Sequence, residues 1–154
     1  IIVGGLAWFG TMTYASGPDM RVVAESEYDV AKYIWKQQPE DVNNICVLAD
    51  TWVLLHLESF SQGKIVGGGF PIDYQFGQTE KNDLFNKFSE NPENVDLEKA
   101  FSLTGANNCW YLEKLENLKE ENIDKLNEIF ASEPTEVAGF VVWSVGVEKN
   151  LKLE

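Results

Sequence analysis

The order of apolar segments predicts one α/β domain, a mainly parallel sheet with helices on both faces. Two observations carry this expectation. Short continuous apolar runs alternate with segments of helical periodicity along the chain. The runs also lack in–out alternation, as strands covered on both faces do. The chain has 154 residues, 44% of them hydrophobic and 12% aromatic, which is enough for one packed core and argues against a disordered chain. No internal repeat, low-complexity stretch or second domain is visible.

Ser16-Gly17-Pro18-Asp19 is the first clear break. Ser26 is the expected N-cap of a helix in which Val30, Ala31, Ile34 and Trp35 recur at helical spacing, and Pro39 stops it. Residues 45–49 (ICVLA) read as a buried strand, and Asp50 or Thr51 caps the helix that follows, filled by Trp52, Leu54, Leu55, Leu57 and Phe60. Residues 64–66 begin the next strand, which runs into Gly67-Gly68-Gly69. A helix is expected over 79–88 with Leu84, Phe85 and Phe88 on one side, broken by Asn91-Pro92. Val95, Leu97, Ala100, Phe101 and Leu103 mark another, closed by Gly105. Residues 109–112 (CWYL) are strand-like, and Asn117 is the expected cap of a helix carrying Ile123, Leu126, Ile129 and Phe130. Pro134 ends it, and residues 138–147 (AGFVVWSVGV) read as one last strand. The parallel sheet should therefore contain 45–49, 64–66, 109–112 and 140–145.

The formal net charge is −13, from 25 acidic and 12 basic side chains. Such a surface repels phosphate backbones and lacks a basic patch for anionic lipid, so nucleic-acid binding is excluded as an expectation. Cys46 and Cys109 lie in no CxxC motif, and the one histidine, His56, is remote in sequence, so no zinc site is expected. Each cysteine falls near the start of a predicted strand. They are two buried thiols, or a disulfide if the strands are neighbours with Cα atoms within about 7 Å. Residues 1–15 (IIVGGLAWFGTMTYA) carry no charge and are too short for a span of about 20 apolar residues. They read as the stump of a membrane helix or as an apolar strand, preceding an α/β domain over 16–154.

Ligands of open parallel sheets bind outside the carboxyl ends of the strands. Two such ends stand out: Asp50-Thr51 after the first strand, and Gly67-Gly68-Gly69 with Asp73 after the second. If those strands are adjacent, Asp50 faces the glycine loop, whose backbone is able to approach a ligand closely. The loop matches neither GxGxxG nor GxxxxGK[ST]. Asp50, Thr51, Gly67, Gly68, Gly69 and Asp73 are the candidate ligand-binding residues. No catalytic residue, metal ligand or cofactor is assigned, because no complete catalytic set is present.

Three segments carry a family resemblance: 31–41 (AKYIWKQQPED), 46–52 (CVLADTW) and 61–71 (SQGKIVGGGFP). Within residues 26–80, about a third of the chain, the sequence resembles the outward-facing, post-membrane region of multi-spanning glycosyltransferases of the protein mannosyltransferase and oligosaccharyltransferase kind. The resemblance implies an extracytoplasmic domain, joined to a membrane-embedded remainder through residues 1–15. Oligosaccharyltransferases carry a WWDYG motif where this chain has Ala49-Asp50-Thr51-Trp52, and the catalytic acid of the superfamily usually lies in an early outward loop. The resemblance therefore implies location and ancestry and supplies no catalytic residue.

Three functions follow as expectations. The first is an accessory domain of a membrane glycosyltransferase-like protein that helps to seat a lipid-linked sugar or an acceptor. The second is a cell-surface or filament-forming subunit that self-associates through residues 1–15. The third is a small enzyme using Asp50 and the glycine loop.

Overall fold

A computed structural model describes residues 24–38, 44–60, 65–67 and 78–146. These form, in chain order, α1 (Glu25–Gln37), β1 (Asn44–Leu48), α2 (Thr51–Phe60), β2 (Ile65–Gly67), α3 (Gln78–Glu90), α4 (Asn94–Thr104), β3 (Asn108–Lys114), α5 (Glu120–Phe130), β4 (Thr135–Val137) and β5 (Phe140–Gly146). Residues 1–15, Gly68, Gly69 and Asp73 lie outside the described residues.

The five strands form one sheet in the order β2-β1-β3-β5-β4. β1 pairs in parallel with both β2 and β3, whereas β5 runs antiparallel to both β3 and β4. The sheet is thus mixed, which corrects the expectation of a mainly parallel one. The cause lies in residues 138–146, where a turn at 138–139 precedes the strand. Ala138 and Gly139 have φ of 52° and 82°, and they join β4 to β5 with Val137 opposite Phe140. This is a two-residue hairpin turn of the kind in which both central residues are left-handed. The turn sends β5 back between β3 and β4, against both neighbours.

Alternate strand residues feed two cores. Ile45 and Val47 of β1, Trp110 and Leu112 of β3, and Phe140 and Val142 of β5 pack with Val30, Ala31 and Ile34 of α1 and with Val53, Leu54 and Leu57 of α2. Cys46, Leu48, Cys109, Tyr111, Val141, Trp143 and Val145 face the other way. They pack with Leu84 and Phe88 of α3, Leu97 and Ala100 of α4, and Leu126, Ile129 and Phe130 of α5. A strand with helices on both sides has no solvated face, which explains the continuous apolar runs.

Helix ends depart from the expected caps in two places. α1 begins one residue before Ser26, and the Glu27 carboxylate accepts the Ala24 N–H at 3.2 Å. α5 begins at Glu120, so Asn117 is not its cap and lies in the turn after β3, donating its N–H to the Lys114 carbonyl at 2.9 Å. Asp50 does cap α2, accepting the Trp52 N–H at 2.9 Å. Gly105 closes α4 with φ of 62° and donates to the Phe101 carbonyl at 2.8 Å.

Cys46 and Cys109 are register partners on β1 and β3 and form a disulfide, with a Cα–Cα distance of 4.5 Å. Both side chains are buried. The bridge closes a separation of 63 residues. A constraint of that length limits the unfolded chain and contributes about 4 kcal/mol in the chain-entropy account. The Cys46→Ala/Cys109→Ala double variant should lose about 2–5 kcal/mol in denaturant unfolding. A midpoint equal to that of the parent would show that the bridge contributes nothing. At the hairpin, a left-handed alanine costs about 1 kcal/mol that asparagine largely avoids. Ala138→Asn should therefore raise the melting temperature, and a lower one would count against a strained turn.

Candidate functional site

The strand order reverses at β1. The connection from β1 to β2 runs through α2 on one face of the sheet. The connection from β2 to β3 runs through α3 and α4 on the other. Helices that leave toward opposite faces open a crevice between the carboxyl ends of β1 and β3, the usual place for a ligand in an open α/β sheet. A cavity of about 300 Å³ lies there, lined by Asp50 after β1, Glu113 and Lys114 at the end of β3, Ser89 of α3 and Asn117 of the following turn. Phe85, Leu112 and Phe140 supply its apolar walls. This is at the small end of small-molecule sites.

Glu113 and Lys114 are adjacent on a strand and so point to opposite faces of the sheet. Glu113 turns toward α3, where its Oε2 accepts from the Ser89 hydroxyl at 2.7 Å and from the Tyr111 hydroxyl at 3.3 Å. Ser89 is held in turn by Asn122, a buried side chain of α5 whose amide donates to the Ser89 and Glu90 carbonyls at 3.2 and 3.3 Å. Lys114 turns toward α1, where its Nζ lies 3.3 Å from Oε1 of the fully buried Glu27 and 5.9 Å from the centre of the Phe140 ring. Asp50 is fixed by its cap bond to Trp52.

Each crevice carboxylate is therefore anchored through one oxygen. Among the described residues, Asp50 Oδ2 and Glu113 Oε1 accept no hydrogen bond, and the Asn117 amide group makes none. The crevice offers free acceptors on the carboxylates and free donors on Lys114 and Asn117, beside an aromatic wall. Among the described residues no group of three or more His, Cys, Asp or Glu is arranged to hold a metal ion.

Two other cavities differ in character. One of about 420 Å³ shares Lys114 and Phe140 with the crevice and opens beside the β4–β5 turn. The other, of about 650 Å³, lies between α3 and α4, and four of its five charged side chains are paired with one another, Lys87 with Asp96 at 2.7 Å and Lys99 with Glu80 at 3.0 Å, with Asp83 beside them.

Of the residues singled out in the sequence, Asp50 lines the crevice. Thr51 is the half-buried first residue of α2, and Gly67 ends β2 opposite Cys46. β1 and β2 are adjacent, as the facing of Asp50 and the glycine loop requires, and the rest of that loop lies outside the described residues. Ser89, Glu113, Lys114 and Asn117 were missed. For Glu113 and Lys114 the signal was available: they are the first charged residues after the apolar run CWYL, at the carboxyl end of a strand. His56 packs edge-on against Tyr28 with ring centres 5.6 Å apart.

No family model, curated protein or solved structure matches the chain. No helix among the described residues is long and apolar enough to cross a membrane.

Burial raises the Tyr111 phenol far above its usual range, reinforced by the neighbouring Glu113 charge and the hydrogen bond to Glu113, with the Ser89 hydroxyl opposing. The unfolded tyrosine ionises near pH 10, and the folded one resists. Its contribution is therefore complete below about pH 10 and is lost as pH rises beyond it. Stability measured by urea unfolding should fall from about pH 10 upward, and Tyr111→Phe should flatten that fall. An identical alkaline slope in the variant would exclude Tyr111 as a cause.

Proposed function

We propose that the chain is an extracytoplasmic domain of a membrane glycosyltransferase-like protein. In this reading it seats a sugar-bearing ligand for a catalytic centre elsewhere in the parent protein. The observation that carries the reading is the Cys46–Cys109 disulfide, formed between register partners in the centre of the sheet. Buried structural disulfides belong to oxidising compartments and are rare where thiols are kept reduced. The sequence segments that resemble the outward-facing region of such enzymes support it independently. The segment CVLADTW spans the last three residues of β1 and the first two of α2, with Asp50 of the crevice lining between them. The acidic surface suits a domain that faces solvent outside the cell.

The test is compartmental. Cells producing the parent protein are quenched with a permeant thiol-blocking reagent, and the denatured protein is then probed with a maleimide polymer before and after reduction. Cys46 and Cys109 should be labelled only after reduction, and an impermeant amine label should reach the domain's lysines in intact cells. Free thiols in promptly quenched cells, with lysines shielded from the impermeant label, would sink the reading.

A further inference from the structure

The crevice differs from a phosphate site and from a cation site in the same respect: it presents donors and acceptors together. A phosphate uses donors only. It would gain from Lys114 and Asn117 but meet the unshared oxygens of Asp50 and Glu113 at the same mouth. A metal ion or polyamine uses acceptors only. It would gain from those oxygens but meet Lys114, which lines the cavity and whose charge is only partly neutralised by Glu27 at 3.3 Å. A ligand carrying several hydroxyls both donates and accepts, and so uses every free group without desolvating a like charge. Its C–H surface would rest on the Phe85 and Phe140 walls.

We propose that this crevice binds a neutral pyranoside, the uncharged acceptor-type portion of a glycan and not a phosphate-bearing donor. Vicinal hydroxyls donate to Asp50 Oδ2 and Glu113 Oε1 and accept from Lys114 and Asn117. The proposal rests on the reading of the chain as a sugar-seating domain and names the ligand class of that same site.

The experiment is a ¹H–¹⁵N NMR titration of the full chain with four probes: the methyl glycosides of glucose, galactose and mannose as one neutral panel, glucose 1-phosphate, calcium and spermidine. At least one methyl glycoside should give saturable shifts centred on the amides of Asp50, Glu113, Lys114 and Asn117, with glucose 1-phosphate, calcium and spermidine weaker there. Asp50→Asn keeps a residue able to cap α2, and Glu113→Gln keeps an acceptor for Ser89, so both should retain the parent's spectrum and melting temperature. Each should weaken the glycoside by about tenfold, since charge-assisted hydrogen bonds are the stronger ones. Calcium or spermidine binding more tightly than every glycoside would make this a cation site. Glucose 1-phosphate binding more tightly would make it an anion site. No response, or shifts centred elsewhere, would remove the crevice as a sugar site. Each of these three results overturns the proposal. None bears on the compartment, which the thiol measurement decides separately.

Discussion

The parallel pairing of β1 with β3 is the constraint on which the other elements depend. β1 is five residues long, and every one after Asn44 is buried. Its two faces belong to different cores, so α1 and α2 on one side and α3, α4 and α5 on the other are all positioned against the same short strand and its neighbour. A strand this short holds few ladder hydrogen bonds, and parallel pairs are the less stable kind. The Cys46–Cys109 bridge fixes their register covalently, because a one-residue slip would exchange the contents of the two cores. The same pairing creates the crevice: β2 and β3 flank β1 and are reached over opposite faces, so among the described residues the carboxyl ends of β1 and β3 open onto the cavity.

The end of β3 is held from both sides by charged groups. Glu113 is tied to α3 and Lys114 to α1, so successive residues of one strand anchor helices of opposite layers. Glu27 is fully buried, and an ion pair with one partner inside the protein gives little net stability once desolvation is counted. Its effect is geometric. With Glu27 fixed by the Ala24 N–H, Lys114 is drawn toward α1 and over one edge of the crevice. Glu113, held by Ser89 and Tyr111, has one oxygen occupied on the protein side and one left over. Fixed carboxylate and ammonium groups of this kind bind a ligand with little further loss of side-chain freedom.

Much of this fold was legible in the sequence, because helix periodicity and apolar runs depend on local burial. The strands of β1, β2, β3 and β5 and all five described helices fall on segments so identified, with ends displaced by a residue or two. Strand direction was not legible. Residues 140–146 are apolar whether they run with β3 or against it, and the turn that decides this is Ala138-Gly139, without the asparagine or aspartate that usually announces a hairpin. Asp50 was found because it follows a strand and precedes a helix. Glu113 and Lys114 escape a reading from apolarity because the apolar run stops at Leu112, two residues before the strand does. Ser89 carried no local signal: it meets Glu113 across 24 residues, through the packing of α3 on the sheet.

The electrostatic character of the crevice is a local property more than a consequence of the net charge of −13. At physiological ionic strength the Debye length is about 8 Å, so exposed acidic side chains farther away than that act weakly on a ligand in the cavity. Two acidic groups of the α3–α4 cavity are moreover compensated by lysines, Asp96 by Lys87 and Glu80 by Lys99. What remains at the mouth is Asp50, Glu113 and the pair of Lys114 with Glu27. Desolvation strengthens these few charges relative to the remote ones, since the effective dielectric falls as a ligand displaces water between Phe85 and Phe140. The same side chains that lock the end of β3 therefore also set the sign of the field a ligand meets. For that reason selectivity and local stability are coupled at Lys114, while at Asp50, exposed and needed only as a cap, and at Glu113, whose bonds to Ser89 and Tyr111 need only an acceptor oxygen, the two separate.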